Sequence, residues 1–275
     1  MIAGAQWWAM HRHDIPINGD WSGFHGVVHG GYRRQDAVVR RYPRMYSVIY
    51  TVPFCGISTE MNRLLDFPNY GNLFDGYDSD LPRTGGEFRW SWFHGWWVNW
   101  ARVDIDQIIA RLRPQIPQHV RYWMIDNVAE WYRHLGNSKH RFQDQLKAMY
   151  HCLRGIADVP VLGNVYQGGA HADAFLEIAD GAIYENWRWF WSSGQLLPAS
   201  TIARVEQSIM KSLENSEKCV VLHVPAMPST QVANALDQIQ EKLERYGTER
   251  VLFYEHRPAS GTISVRRYIL QAGVN

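Results

Sequence analysis

A chain of 275 residues and 32.0 kDa, 46% of it hydrophobic, is long enough to bury the core of one large α/β domain. With 28 basic and 27 acidic residues its formal charge is +1, which argues against a nucleic acid or an anionic membrane surface as partner. No apolar run reaches ~18 residues, so no membrane-spanning helix is expected, and Cys55, Cys152 and Cys219 lie too far apart for a disulfide framework or a cysteine-based zinc site.

The chain begins MIAGAQWWAMHRHD, without a basic stretch or an apolar core of leader length. That suits the cytoplasm, or export if a leader has been removed. Residues 6–10 form a weak β-type run. His11, His13 and Asp14 follow it, where a divalent cation could be chelated if later strands supplied further ligands. A clear β-type run covers 46–52. The stretch from 58 to about 95 is rich in Gly, Asp, Asn and Pro and reads as a long excursion, and a weak run rich in tryptophan covers 96–100. Residues 103–112 are helix-like.

Four more runs follow at 120–125, 159–164, 181–184 and 219–224, and a last one at 251–254. Between them, Phe142, Leu146, Met149 and Leu153 share one helical face, as do Val232, Leu236, Ile239 and Leu243. Residues 200–213 are also helix-like. Ser229 suits the N-cap of the last helix, and Gly247 the left-handed position after its end. Eight apolar strands alternating with helices predict a parallel sheet closed into a single-domain (β/α)8 TIM barrel over 1–275. A doubly wound sheet is the rival. No Gly-rich phosphate loop supports a nucleotide site, and no cofactor is expected.

Barrel chemistry sits at strand C-termini. Asp126 follows Tyr122-Trp123-Met124-Ile125, and Glu185 follows Ala182-Ile183-Tyr184. With one strand between them, their backbones stand ~10 Å apart. Converging side chains then reach the ~5–9.5 Å window of glycoside hydrolysis, in which one carboxyl protonates the leaving oxygen and the other acts as nucleophile or base. The 13 Trp, 14 Tyr and 10 Phe include clusters beside polar groups, which suit sugar rings and suggest several subsites.

The segments VRYWMIDNVAEW, VLGNVYQGG and ADGAIYENW resemble the TIM-barrel endo-α-1,4-polygalactosaminidase-like glycosidases, which include exopolysaccharide hydrolase domains. The likeness covers roughly residues 46–187. Where that family has Gly-Phe-Asp-Gly before its fourth strand, this chain has His119-Val120-Arg121-Tyr122. The resemblance implies a metal-independent, endo-acting hydrolase of a polysaccharide or oligosaccharide, with Asp126 and Glu185 as its catalytic pair. Asn127 would orient Asp126 or contact sugar, and Asn164 would bond a sugar hydroxyl. Tyr50, at the end of the second predicted strand, and Trp187 would stack on rings. Trp8, His13, Asp14, Trp97, Tyr166, His223 and Glu255 complete the expected substrate-binding lining. Two alternatives stay open: a metal-dependent amidohydrolase-type barrel built on His11 and His13, and a barrel that binds carbohydrate without cleaving it.

Overall fold

The computed structural model describes residues 6–10, 21, 23–29, 39–57, 83–89, 94–116, 119–190, 193–225 and 230–256. The chain opens with three strands, β1 (Gln6–Met10), β2 (Gly26–His29) and β3 (Tyr46–Thr51). A separate antiparallel sheet follows, of β4 (Cys55–Ile57), β5 (Arg83–Arg89) and β6 (His94–Val98), with β6 in the middle. Then come α1 (Ile105–Leu112), β7 (Val120–Ile125), α2 (Val128–His134), α3 (Lys139–Ile156), β8 (Val161–Asn164) and α4 (Ala170–Leu176). The chain continues through β9 (Gly181–Tyr184), α5 (Ala199–Glu214), β10 (Cys219–Val224), α6 (Thr230–Leu243) and β11 (Val251–His256).

Strands β1, β2, β3, β7, β8, β9, β10 and β11 pair in that order, all parallel, and β11 returns to β1. This is the closed (β/α)8 barrel. Strands such as Tyr46–Thr51 and Gly181–Tyr184 are buried along their whole length, because the helices cover the outside and side chains fill the inside.

Two expectations are corrected. The run at 96–100 is not a barrel strand. Its first part belongs to β6, which pairs antiparallel with β4 and β5 outside the barrel. The second barrel strand is Gly26–His29, so Tyr50 stands on the third strand rather than the second. The expected excursion leads from β3 to β7. Residues 58–82 and 90–93 of it lie outside the described residues.

The helix faces read from sequence are in the core. Phe142, Leu146, Met149 and Leu153 on α3 are fully buried, and Val232, Leu236, Ile239 and Leu243 on α6 are nearly so. Ser138 caps α3 by accepting the Arg141 backbone N–H, and Asp104 caps α1 through Gln107. Gly247 takes a positive φ of 87°, one short 3-10 turn beyond the end of α6. Ser229 lies outside the described residues. Among the described residues, no helix is long and apolar enough to cross a membrane.

Tyr46, Trp8 and Tyr122 form an aromatic layer in the N-terminal half of the barrel. The Trp8 indole N–H donates to the Tyr46 hydroxyl at 2.7 Å, and the ring of Tyr122 lies 5.0 Å from Trp8 and 5.8 Å from Tyr46. Gly26 makes this possible, since a Cβ there would stand 2.6 Å from the Tyr46 ring. Trp8, expected to line the cleft, is instead a fully buried part of this layer, away from the strand C-termini.

Candidate active site

Three strand ends meet at the C-terminal mouth. Asp126 follows β7, Asn164 ends β8 and Glu185 follows β9. The ladder β7–β8–β9 sets their spacing, and Asn164 sits between the carboxylates. Its amide nitrogen donates to Asp126 Oδ1 at 2.9 Å and to Glu185 Oε2 at 2.9 Å. Those two oxygens are therefore no further apart than twice that distance.

Asp126 accepts two more bonds. The Tyr50 hydroxyl donates to Oδ2 at 2.5 Å, and the Asn127 backbone N–H donates to Oδ1 at 2.8 Å. Asn127 itself adopts a left-handed conformation (φ 63°) at the N-cap of α2. Tyr50 thus serves Asp126 as a donor, and burial first, then the Asp126 charge, push its phenol well above the ordinary range. It stays neutral and keeps its proton to donate.

Glu185 is half-buried. Burial first, and then the negative charge of Asp126, push its carboxyl up to about 8, against the opposing effect of the Asn164 bond. Tyr184 and Trp187, its aromatic neighbours in sequence, make their contacts elsewhere. Tyr184 faces outward, its hydroxyl bonded to Ser208 and Ser212 of α5. Trp187 is fully buried, with its indole N–H donating to the His223 carbonyl at 2.6 Å and its ring edge-on to Trp189. It is a packing residue that fixes the loop after Glu185, not an open stacking platform.

His223 Nδ1 lies 3.2 Å from the Glu185 carbonyl oxygen, which makes it the donor and places the ring proton there. Its ring lies 5.4 Å from Tyr254. Glu255 is fully buried, in register with Ala9 and Val224. Strand alternation puts it on the opposite face from Tyr254 and His223, so it is not brought to the carboxylate pair. Trp97 is buried on β6 and stacks on His134 of α2 at 4.6 Å. Tyr166 is half-buried with φ 54°, and its phenol is pushed far up by burial and by the carboxylates Asp126, Glu130 and Glu185.

One residue that sequence reading missed is Glu130. It lies one helical turn beyond Asp126 on α2, bonded to Arg133 at 2.7 Å, with its other carboxyl oxygen buried. Burial raises its own carboxyl, and its charge contributes to the raised state of Glu185. The four-residue spacing from Asp126 was the available signal. With Tyr166, Arg133 and Arg204 it borders a cavity of about 720 Å³ whose described lining includes neither Asp126 nor Glu185.

His11, His13 and Asp14 lie outside the described residues. Among the described residues, no group of three or more His, Cys, Asp or Glu could hold a metal ion.

No protein-family model matches the chain, and no curated relative does. Solved structures do. The glycoside hydrolase domain of PelA from Pseudomonas aeruginosa is 13% identical, with 94% of this chain aligned to 97% of that one at a TM-score of 0.55. Ega3 of Aspergillus fumigatus, solved in complex with galactosamine, is 10% identical over 96% of this chain and 92% of its own, at 0.52. TtGalA, an α-galactosidase from Thermus thermophilus, is 15% identical over 91% of this chain and 55% of its own, also at 0.52. The fold is therefore shared with the group of barrels that the sequence motifs resemble.

Proposed function

We propose that this chain is a glycoside hydrolase that cleaves a polysaccharide or oligosaccharide with Asp126 and Glu185, retaining the anomeric configuration. One observation carries the reading: a single amide, Asn164, holds an oxygen of each carboxylate at 2.9 Å. Retaining glycosidases keep their two carboxyl groups ~5–5.5 Å apart, whereas inverting ones need ~6.5–9.5 Å for a water between them. The bridging amide holds the nearer oxygens of the pair at most about 5.8 Å apart, twice 2.9 Å, which favours the retaining arrangement.

The environments divide the roles. Glu185, raised to about 8, carries a proton at neutral pH and serves as the acid. Asp126 receives three donors, from Tyr50, Asn127 and Asn164, all of which a carboxylate accepts. In the first step Asp126 attacks the anomeric carbon while the Glu185 proton passes to the departing glycosidic oxygen. In the second, Glu185 takes a proton from water, which displaces Asp126 and frees the sugar. Asn164 keeps contact with both groups throughout.

The structural neighbours support a glycan substrate, and Ega3 makes galactosamine polymers the first to try. Endo cleavage is the mode that the sequence resemblance implies. The test combines hydrolysis and stereochemistry. Wild type should release oligosaccharides of intermediate length, with the first-formed anomer matching the substrate by NMR. Asp126→Asn and Glu185→Gln should each remove hydrolysis while leaving the circular dichroism spectrum intact. Wild-type rates in both variants would overturn the assignment, and an inverted product would overturn the nucleophilic role of Asp126.

A further inference from the structure

The N-terminal mouth of the barrel, opposite the carboxylates, holds a second cavity of about 390 Å³. Its lining comes from the starts of four adjacent strands: Gln6 at β1, His25 before β2, Arg44 and Tyr46 at β3, and His119 and Arg121 at β7. No carboxylate is among its described lining residues. Arg44 and Arg121 make no ion pair among the described residues, and the recorded partner of Arg121 is the Tyr46 ring, 5.2 Å from its guanidinium carbon.

The backbone under this cavity is fixed. The Tyr46 N–H donates to the His25 carbonyl at 3.0 Å, the Ser47 N–H to the His119 carbonyl at 2.8 Å, and the His25 N–H to the Trp7 carbonyl at 2.8 Å. The Trp7 N–H donates to His25 Nδ1 at 3.1 Å, so the neutral ring carries its proton on Nε2. The Tyr46 hydroxyl is held between Trp8 and Gln6. Two guanidiniums and two imidazoles thus stand around one opening, and among the described residues no carboxylate pairs with Arg44 or Arg121.

We propose that this cavity binds a phosphate-type oxyanion, with Arg44 and Arg121 as its charged donors. A single carboxylate would leave one guanidinium uncompensated. A phosphate group carries nearly two negative charges and offers enough oxygens to serve both planar forks. The volume admits either a free phosphate or the phosphate group of a small sugar ester. Because the cavity lies at the far end of the barrel, this site is independent of the glycosidase reading.

The experiment is calorimetric titration of the full chain with inorganic phosphate and with glucose 6-phosphate, against chloride at matched ionic strength. Both phosphates should bind saturably and raise Tm, with no such effect from chloride. Arg44→Glu and Arg121→Glu should each weaken binding by about tenfold or more. Arg44→Gln is the milder variant if charge reversal prevents folding. Tighter binding of the ester marks a phosphorylated metabolite as the ligand, and equal or weaker binding marks free phosphate. An absent response in wild type, or an unchanged one in the folded arginine variants, overturns the proposal.

Discussion

The side-chain oxygen of Asn164 accepts the backbone N–H of Tyr166 at 3.0 Å. That bond decides which end of the amide faces the carboxylates. With its oxygen occupied, Asn164 turns its NH2 group toward Asp126 and Glu185 and gives each a hydrogen. The bond from the Tyr166 N–H to the side chain two residues earlier closes an Asx-type turn.

Asn164→Ala removes the side chain that, among the described residues, bonds both carboxylates. We expect kcat to fall about 10²-fold, because small misplacements of reacting groups cost that much. The Asn164 bond also favours the ionised form of Glu185, so its loss should move the alkaline limb of the pH–rate profile upward. A profile that stays in place while kcat falls would mean that the amide only positions.

Tyr50→Phe deletes the 2.5 Å bond to Asp126 and little volume. Hydrogen bonds to charged groups are worth ~1.5–3 kcal/mol, so kcat/KM should drop about 10- to 100-fold and Tm should fall by several degrees. Steady-state kinetics beside thermal unfolding checks this.

Glu185 gives a pH dependence of stability whose sign is fixed. Its carboxyl, raised from 4.5 to about 8, still holds a proton in the folded chain at pH values where the unfolded chain has lost it. Stability therefore falls as pH rises through that window and levels off above it. Glu185→Gln removes the dependence. Its Tm relative to wild type should climb between about pH 4 and about pH 9, by an equivalent on the order of a few kcal/mol. In the wild type, kcat/KM should decline above about pH 8 as the acid loses its proton.

Two carboxylates acting as acid and nucleophile need no Lewis acid. Glycan hydrolysis is therefore expected to persist after dialysis against EDTA. Loss on chelation, with rescue by one divalent metal, would point instead to the reading built on His11 and His13.

Gly26→Ala should destabilise the barrel without touching the mouth. The added Cβ would stand 2.6 Å from Tyr46 and 2.9 Å from Trp8, in a layer of large rings with little freedom to shift. Overpacking of this kind costs ~1–3 kcal/mol, readable in a denaturant titration.

What was legible in the sequence was whatever has a strong period or an unbroken apolar run. The helix faces on α3 and α6 and strands β3, β7, β9 and β10 belong there, and so does the position of Asp126 and Glu185 after their strands. Gly26–His29 escaped because four residues beginning with glycine carry almost no signal; that glycine is there to admit the rings of its neighbours. Residues 96–100 misled because local β character does not tell which sheet a strand joins. The aromatic residues misled for a similar reason. Trp8 and Trp187 look like sugar platforms in one dimension, yet their indole N–H groups are committed to Tyr46 and to the His223 backbone. Glu130 was overlooked because its effect on Glu185 is a matter of proximity in space.

The last backbone partners of β9 and β10 are Tyr184 and Leu222, just short of the mouth. Beyond them the two chains stay joined by side chains, His223 to the Glu185 carbonyl and the Trp187 indole to the His223 carbonyl. These two bonds act as a clasp where the sheet would otherwise fray. Strands carrying a reactive group at their frayed tips would let it wander with every thermal splaying of the rim. Here the segment from 185 to 187 should breathe with the barrel wall and not with the loops, so its amide hydrogens should exchange with solvent nearly as slowly as those of β9 itself.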